Sequence, residues 1–184
     1  MDLKSVYNLI AESWAELKTV PFGFVVDFLA GKSGSLLVVG CGSGRHSVFA
    51  SKNGLIVTGF DFSFKMIELV KQKDPVSHYL VADACSIPFI DGLFDYSLCV
   101  AVLHHLRPSE ILIALKELKR VTKGQSLVSV WNHPSFRGEH LVKWGDQERF
   151  YYLYEREEFI DLIKQVFNKV TQVPDEQNFV FIVE

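Results

Sequence analysis

The sequence predicts an α/β domain built on a mostly parallel β-sheet. Strand-like apolar runs alternate with amphipathic helical runs along the chain, and the first strong strand ends in a glycine-rich turn, LLVVGCGSGRH. The third observation is length: 184 residues, 48% of them hydrophobic, bury one substantial core but are short for two, so residues 1–184 read as a single domain.

The strands expected from apolar runs are 35–39 (SLLVV), 55–60 (LIVTGF), 78–82 (HYLVA), 95–100 (DYSLCV) and 126–131 (SLVSVW). Ahead of them, two helical stretches, about 6–18 and 22–30, are divided by Pro21. The clearest helix spans 109–121, where Ile111, Leu112, Leu115, Leu118 and Val121 recur at three- and four-residue spacing; Ser109 is the expected N-cap and Gly124 the stop. A further helix over 155–165 points Phe159, Leu162 and Ile163 inward. Runs 166–173 and 178–183 flank the turn-former PDEQ and read as an antiparallel hairpin closing the sheet. Residues 132–148 are the least regular stretch and are expected to form a substrate-side loop.

A formal net charge of -3 excludes a chain-wide cationic surface, so a nucleic-acid partner would need a local one. Cys41, Cys85 and Cys99 are odd in number and lack metal-ligand spacing, which fits reduced thiols in the cytoplasm and no bound metal. The N-terminal MDLKSVYNLIAESW lacks the apolar core of a secretory leader, and no run approaches the roughly 20 apolar residues of a membrane span.

At the glycine turn, Gly40 and Gly42 permit a tight backbone, and with Gly44 they would let a ligand approach the chain closely. A simple strand-to-helix turn would look the same. Later acids narrow the reading. Asp61 follows the second strand, where a carboxylate can accept from both hydroxyls of a ribose. Asp83 and Ala84 follow the third and suit an adenine, whose exocyclic amine needs an acceptor. A helix cap at Asp61, with Ser63 competing for that role, and a solvated turn at Asp83 are the bland alternatives.

The runs VVGCGSGRH, GFDFS, VADACSIPF and FDYSLCVAVLHHL resemble the successive cofactor motifs of class I S-adenosylmethionine-dependent methyltransferases. The resemblance implies a Rossmann-like fold: a seven-stranded sheet, order 3-2-1-4-5-7-6, with the last strand antiparallel and helices on both faces. It also implies S-adenosylmethionine held by Gly40, Cys41, Gly42, Asp61, Phe62, Asp83, Ala84 and Val100, with Ala101 beside Val100 on the pocket floor.

A narrower resemblance covers nearly the whole length. YNLIAESWAELK followed by PF, AVLHHL, VW at 130–131, RFYYLYEREEF and Asn178-Phe179 are similar to the tRNA wobble-uridine carboxymethyl methyltransferases. That family esterifies 5-carboxymethyluridine in the tRNA anticodon stem-loop and generally works with a small zinc-binding activator protein, which pairs with the edge of the third strand, here about His78 to Ala82. This chain departs from the pattern at Tyr152 (usually His), Glu155 (often Arg), Lys18 (Arg) and Phe179 (Trp), and lacks the long basic insertion of fungal members.

Transfer to a carboxylate needs no base, so the acceptor site calls for cations or donors and for aromatic faces on which a base can lie. His104 and His105, just past the fourth strand, are candidates to orient the acceptor, and Arg149 and Tyr151 to contact it; Lys18, Arg156, Trp131 and Trp144 are weaker candidates. A small-molecule methyltransferase acting, for example, on a quinone precursor is the alternative activity, and a non-catalytic cofactor-binding module the third possibility.

Overall fold

The computed structural model describes residues 2–184. Its seven-stranded sheet contains β1 (Ser35–Val39), β2 (Ile56–Asp61), β3 (His78–Val81), β4 (Tyr96–Val100), β5 (Ser126–Trp131), β8 (Val170–Val173) and β9 (Asn178–Val183), in the order β3-β2-β1-β4-β5-β9-β8. Strands β1 to β5 pair in parallel, and β9 runs antiparallel to both β5 and β8. This is the predicted seven-stranded arrangement.

Helices cover both faces, which is why β1, β4 and β5 read as almost unbroken apolar runs. On one face α5 (Pro108–Val121) and α6 (Arg156–Lys164) bury Ile111, Leu115, Leu118, Phe159 and Ile163. On the other, α2 (Gly23–Leu29), α3 (Ser47–Lys52) and α4 (Phe64–Lys73) bury Phe24, Phe28, Ala50, Ile67 and Val70. Helix α1 (Leu3–Leu17) lays Val6, Tyr7, Ile10 and Ala11 against Met66 of α4.

The expected loop at 132–148 is corrected. It contains β6 (Gly138–Trp144), which pairs antiparallel with β7 (Gln147–Leu153) as a separate two-stranded ribbon. Gly145 at φ +57° opens the two-residue turn between them, a conformation suited to the twist of a tight hairpin. Burial alternates along both strands, and the buried face of β7 carries Arg149, Tyr151 and Leu153.

Two smaller expectations also change. Only Val170–Val173 of the 166–173 run is a strand, because Val166 and Phe167 turn into the core at the end of α6. Ser109 does not cap α5: Pro108 takes the first turn, so Arg107 is the cap and its N–H donates to the Glu110 carboxylate at 2.8 Å.

Candidate active site

The carboxyl ends of β1, β2 and β4 open into a cleft of about 240 Å³, roofed by α1. The backbone leaves β1 through Gly40 (φ +61°) and Gly42 (φ +53°). A Cβ on Gly40 would collide with Val102, whereas one on Gly42 would stand in open space. Gly44 plays a different part from the one expected: a Cβ there would lie 2.7 Å from Val48 and 2.8 Å from Val70, so it lets α3 and α4 close together and does not line the cleft.

Asp61 ends β2 with both carboxylate oxygens anchored. The Gly42 N–H donates to one and the Ser63 N–H to the other, each at 2.9 Å. Burial pushes this carboxyl up to about 6, against the pull of those N–H donors. Ser63, not Asp61, caps α4, accepting from the Met66 N–H. Asp83 turns its own loop, its carboxylate accepting from the Cys85 N–H at 2.8 Å. Gly40, Cys41, Gly42, Asp61, Phe62, Asp83, Ala84 and Val100 all line this one cleft. Beyond Val100, Ala101 is held at φ +58°, a left-handed conformation that costs a non-glycine residue about 1 kcal/mol; its N–H is tied to Ser129.

The acceptor-side candidates separate. His105 lines the cleft; His104, Tyr151 and Arg149 form the layer behind it. A single 3₁₀ turn, Leu103–His105, sends the two imidazoles different ways. Buried His104 accepts the Trp131 N–H on Nδ1 and stacks on Tyr151 with ring centroids 4.7 Å apart. His105 Nδ1 faces the Phe150 carbonyl at 2.9 Å, which requires a proton there, so Nε2 accepts from the Tyr7 hydroxyl at 2.8 Å. Burial lowers the His105 pKa to about 4, and His104 well below its ordinary value. Both imidazoles are therefore neutral, and His105 has no free nitrogen with which to act as a base.

Arg149 is 4% exposed and makes no ion pair among the described residues. Its guanidinium lies 5.3 Å from the ring centroids of Trp14, Trp144 and Tyr151, and its Nε has no hydrogen-bond partner. Trp14 and Trp144 sit against each other at 4.7 Å. Arg156 is exposed on α6, 3.9 Å from Glu157, and Trp131 lies outside the cleft lining.

Sequence reasoning missed Tyr7, Trp14, Phe22, Arg45 and His46, which also line the cleft. Tyr7 and Trp14 stand seven residues apart on the inward stripe of α1, the spacing that could have revealed them. His46 is buried with an unpartnered Nδ1, and burial with the neighbouring Arg45 charge lowers its pKa to about 3. No group of three or more His, Cys, Asp or Glu among the described residues is placed to hold a metal, and no described helix is long and apolar enough to cross a membrane.

A methyltransferase-domain model matches residues 37–130, just over half of the chain and the part that builds β1 to β5. The chain belongs to the methyltransferase-domain family. S-adenosylmethionine is the cofactor of this methyltransferase domain. Among related proteins, mouse tRNA (carboxymethyluridine(34)-5-O)-methyltransferase ALKBH8 is 31% identical over 169 residues, covering 84% of this chain and 25% of the mouse protein. Demethylmenaquinone methyltransferase from Renibacterium salmoninarum is 35% identical over 116 residues, covering 61% of this chain and 48% of that protein. The chain thus spans about a quarter and about half of the lengths of these two relatives. The methyltransferase fold is shared with Burkholderia thailandensis 1,6-didemethyltoxoflavin-N1-methyltransferase, solved with bound 1,6-didemethyltoxoflavin and S-adenosylhomocysteine, at a TM-score of 0.75 and 17% identity over 98% of this chain and 86% of that one.

Proposed function

We propose that this methyltransferase domain esterifies the carboxylate of 5-carboxymethyluridine at the wobble position of tRNA. The observation that carries the reading is Arg149, a buried guanidinium with no carboxylate of its own in a layer that touches the cleft through Tyr7 and Trp14. A buried charge without a partner is costly, and an anionic acceptor offsets that cost while it is bound.

The cleft suits a nucleoside–amino acid cofactor. Carboxylates of Asp61, Asp83 and Glu110 in the lining suit ribose and adenine donors, and Lys18 and Arg45 in the same lining suit an amino-acid carboxylate. The open space over Gly42 lets a ligand rest on the glycine turn. In this reading Asp61 holds the ribose hydroxyls, Asp83 and Ala84 hold the adenine, and Gly40, Cys41, Phe62 and Val100 shape the walls. When bound, S-adenosylmethionine supplies an electrophilic methyl group. The carboxylate acceptor is ionised at neutral pH, so neutral His105 need only position the Tyr7 hydroxyl; Tyr7 orients the acceptor on the cleft wall, Arg149 and Tyr151 act from the layer behind Tyr7 and Trp14, and the Trp14–Trp144 pair excludes water. His104 acts from the layer behind, by fixing Tyr151.

The relative named for tRNA carboxymethyluridine methylation, matched along 84% of this chain, supports the same acceptor. The four-residue edge strand β3, flanked in the chain by exposed Val76 and Ile90, suits strand addition by a small zinc-binding activator protein. Three free cysteines suit a reducing cytoplasm. The experiment is nucleoside mass spectrometry of carboxymethyluridine-containing tRNA after incubation with the protein, its activator and S-adenosylmethionine. Methyl-ester formation is expected, and its absence under those conditions overturns the assignment. The apolar lining from Leu3, Phe22, Met66 and Leu106, together with the demethylmenaquinone methyltransferase relative, favours a second reading: turnover of a quinone precursor without tRNA.

A further inference from the structure

A second groove, about 280 Å³, adjoins the active-site cleft and is lined by Lys18, Arg45, Lys52 and Lys73 over a floor that includes Val48 and Phe49, with no acidic residue in its lining. Lys18, Ser43 and Arg45 belong to both linings, so the groove opens onto the rim of the cleft. Its cations come from four separated parts of the chain: the exit of α1, the glycine turn, the end of α3 and the end of α4.

Acids outnumber Lys and Arg by 22 to 19 in this chain, yet none of these four cations forms an ion pair among the described residues. Asp74, next to Lys73, turns inward, accepting from the Tyr79 hydroxyl at 2.8 Å and the Ser51 hydroxyl at 3.4 Å. Arg45 is pre-set: its Nε donates to the Val20 carbonyl at 2.6 Å and its guanidinium lies 4.0 Å from the Phe22 ring centroid, leaving both Nη groups without a protein acceptor. Lys52 and Lys73 sit in last turns and Lys18 at the C-cap of α1, where a cation offsets a helix dipole by about 0.3–1 kcal/mol; Arg45 occupies no such position. Burial and mutual repulsion lower the pKa of Lys18, and burial lowers that of Arg45 and Lys73. An anion entering the groove meets four cations that no carboxylate among the described residues pairs with.

We propose that this groove carries the sugar–phosphate backbone of the RNA strand whose base enters the cleft, with Lys18 and Arg45 nearest the reacting nucleotide and Lys52 and Lys73 at the phosphates beyond. The inference rests on the RNA reading of the acceptor. It locates the local cationic surface that a chain of net charge -3 needs in order to hold a nucleic acid.

The test is the salt dependence of binding of the intact chain to a fluorescein-labelled anticodon stem-loop RNA, for wild type and the double variant Lys52→Gln/Lys73→Gln. Each phosphate contact on a single strand contributes about -0.7 to the slope of log K against log salt, so the double variant should lose about 1.4 from the slope and bind less tightly at every salt concentration. Neither lysine lines the cleft, so S-adenosylhomocysteine affinity should match wild type, while loss of the two helix-end charges should lower the thermal midpoint only slightly and leave unfolding cooperative, which separates lost contacts from misfolding. An unchanged slope in the folded variant overturns the groove, whether or not ester forms. A slope that falls while wild type makes no methyl ester supports the groove and removes the acceptor assignment. Failure of wild type to bind the RNA overturns both.

Discussion

Between about pH 8 and pH 5, affinity for S-adenosylhomocysteine is expected to fall about tenfold through protonation of Asp61. Burial holds this carboxyl at about 6, against an ordinary 3.8, despite N–H donors from Ser63, Gly42 and Phe62. Ribose hydroxyls donate best to the ionised form, so binding follows its fraction, about one in eleven at pH 5 and nearly complete above about pH 7. His105 at about 4 and His46 at about 3 are neutral across this window and add no slope to binding; to folding they add a slope of the opposite sign to that of Asp61, as their unfolded imidazoles protonate near 6.5. For folding the sign is reversed. The unfolded carboxyl loses its proton near 3.8, whereas the folded one keeps it to about 6, so this group's contribution is fully present below 3.8 and lost as pH rises through 6. The loss is on the order of 3 kcal/mol, from about 2.2 pH units at 1.36 kcal/mol each. Calorimetric titration at four pH values, with wild type and Asp61→Asn, measures the affinity; the difference between wild-type and Asn melts of the unliganded protein isolates the stability contribution of this carboxyl from that of the buried histidines. Asp61→Asn should bind weakly with a flat profile. Wild-type affinity that stays constant from about pH 5 to 8, or an Asn variant that binds as wild type does at neutral pH, would refute the reasoning.

Arg149→Met should abolish ester formation while S-adenosylhomocysteine affinity changes by less than about threefold, and Arg149→Lys should not rescue it, since a guanidinium supplies a planar fork that an ammonium lacks. Loss of the unpaired charge should leave the melting midpoint unchanged or raised, so a lower midpoint in the Met variant counts against the unpaired state of Arg149. Gly42→Ala and Gly44→Ala should diverge: both strain a left-handed backbone by about 1 kcal/mol, but the first also puts its Cβ into open cleft space and weakens cofactor binding, whereas the second loses a further ~1–3 kcal/mol of stability by forcing Val48 and Val70 apart. Parallel calorimetry and chemical denaturation read the two effects. Tyr7→Phe leaves His105 Nε2 without its donor and should cost about 1–3 kcal/mol in urea unfolding, with ester formation reduced; an unchanged unfolding midpoint would contradict the hydrogen bond.

The gathering of Gly40, Asp61, Asp83 and Val100 in one cleft was legible because its signals are local. Each of Gly40, Asp61, Asp83 and Val100 sits at or just past a strand end, and parallel pairing brings strand ends together without further information. The surroundings of His104, His105, Arg149 and Tyr151 depend on contacts between distant segments. Tyr7 meets His105 across 98 residues and Trp144 reaches Ser13 across 131, distances that no periodicity reports. His104 and His105 are identical neighbours in the sequence, and only the 3₁₀ turn distinguishes a packing role from a place on the cleft wall. The β6–β7 ribbon was missed because Gly145-Asp146 is a weaker hairpin signal than Asn-Gly or Asp-Gly, and because its polar strand face suggested a loop. Ala101 gave no warning of its left-handed backbone, since alanine is not a residue that turns ordinarily select.

Arg149 and Tyr151 belong to a ribbon that pairs only with itself, outside the seven-stranded sheet. Changes along it leave the register of the main sheet undisturbed. In the proposed reading, the sheet serves the donor and the ribbon, packed on α1 and the 3₁₀ turn, serves the acceptor. Exchange of residues 138–153 as a block, with the five parallel strands left intact, is the natural unit by which this scaffold could acquire a new acceptor while keeping the same donor.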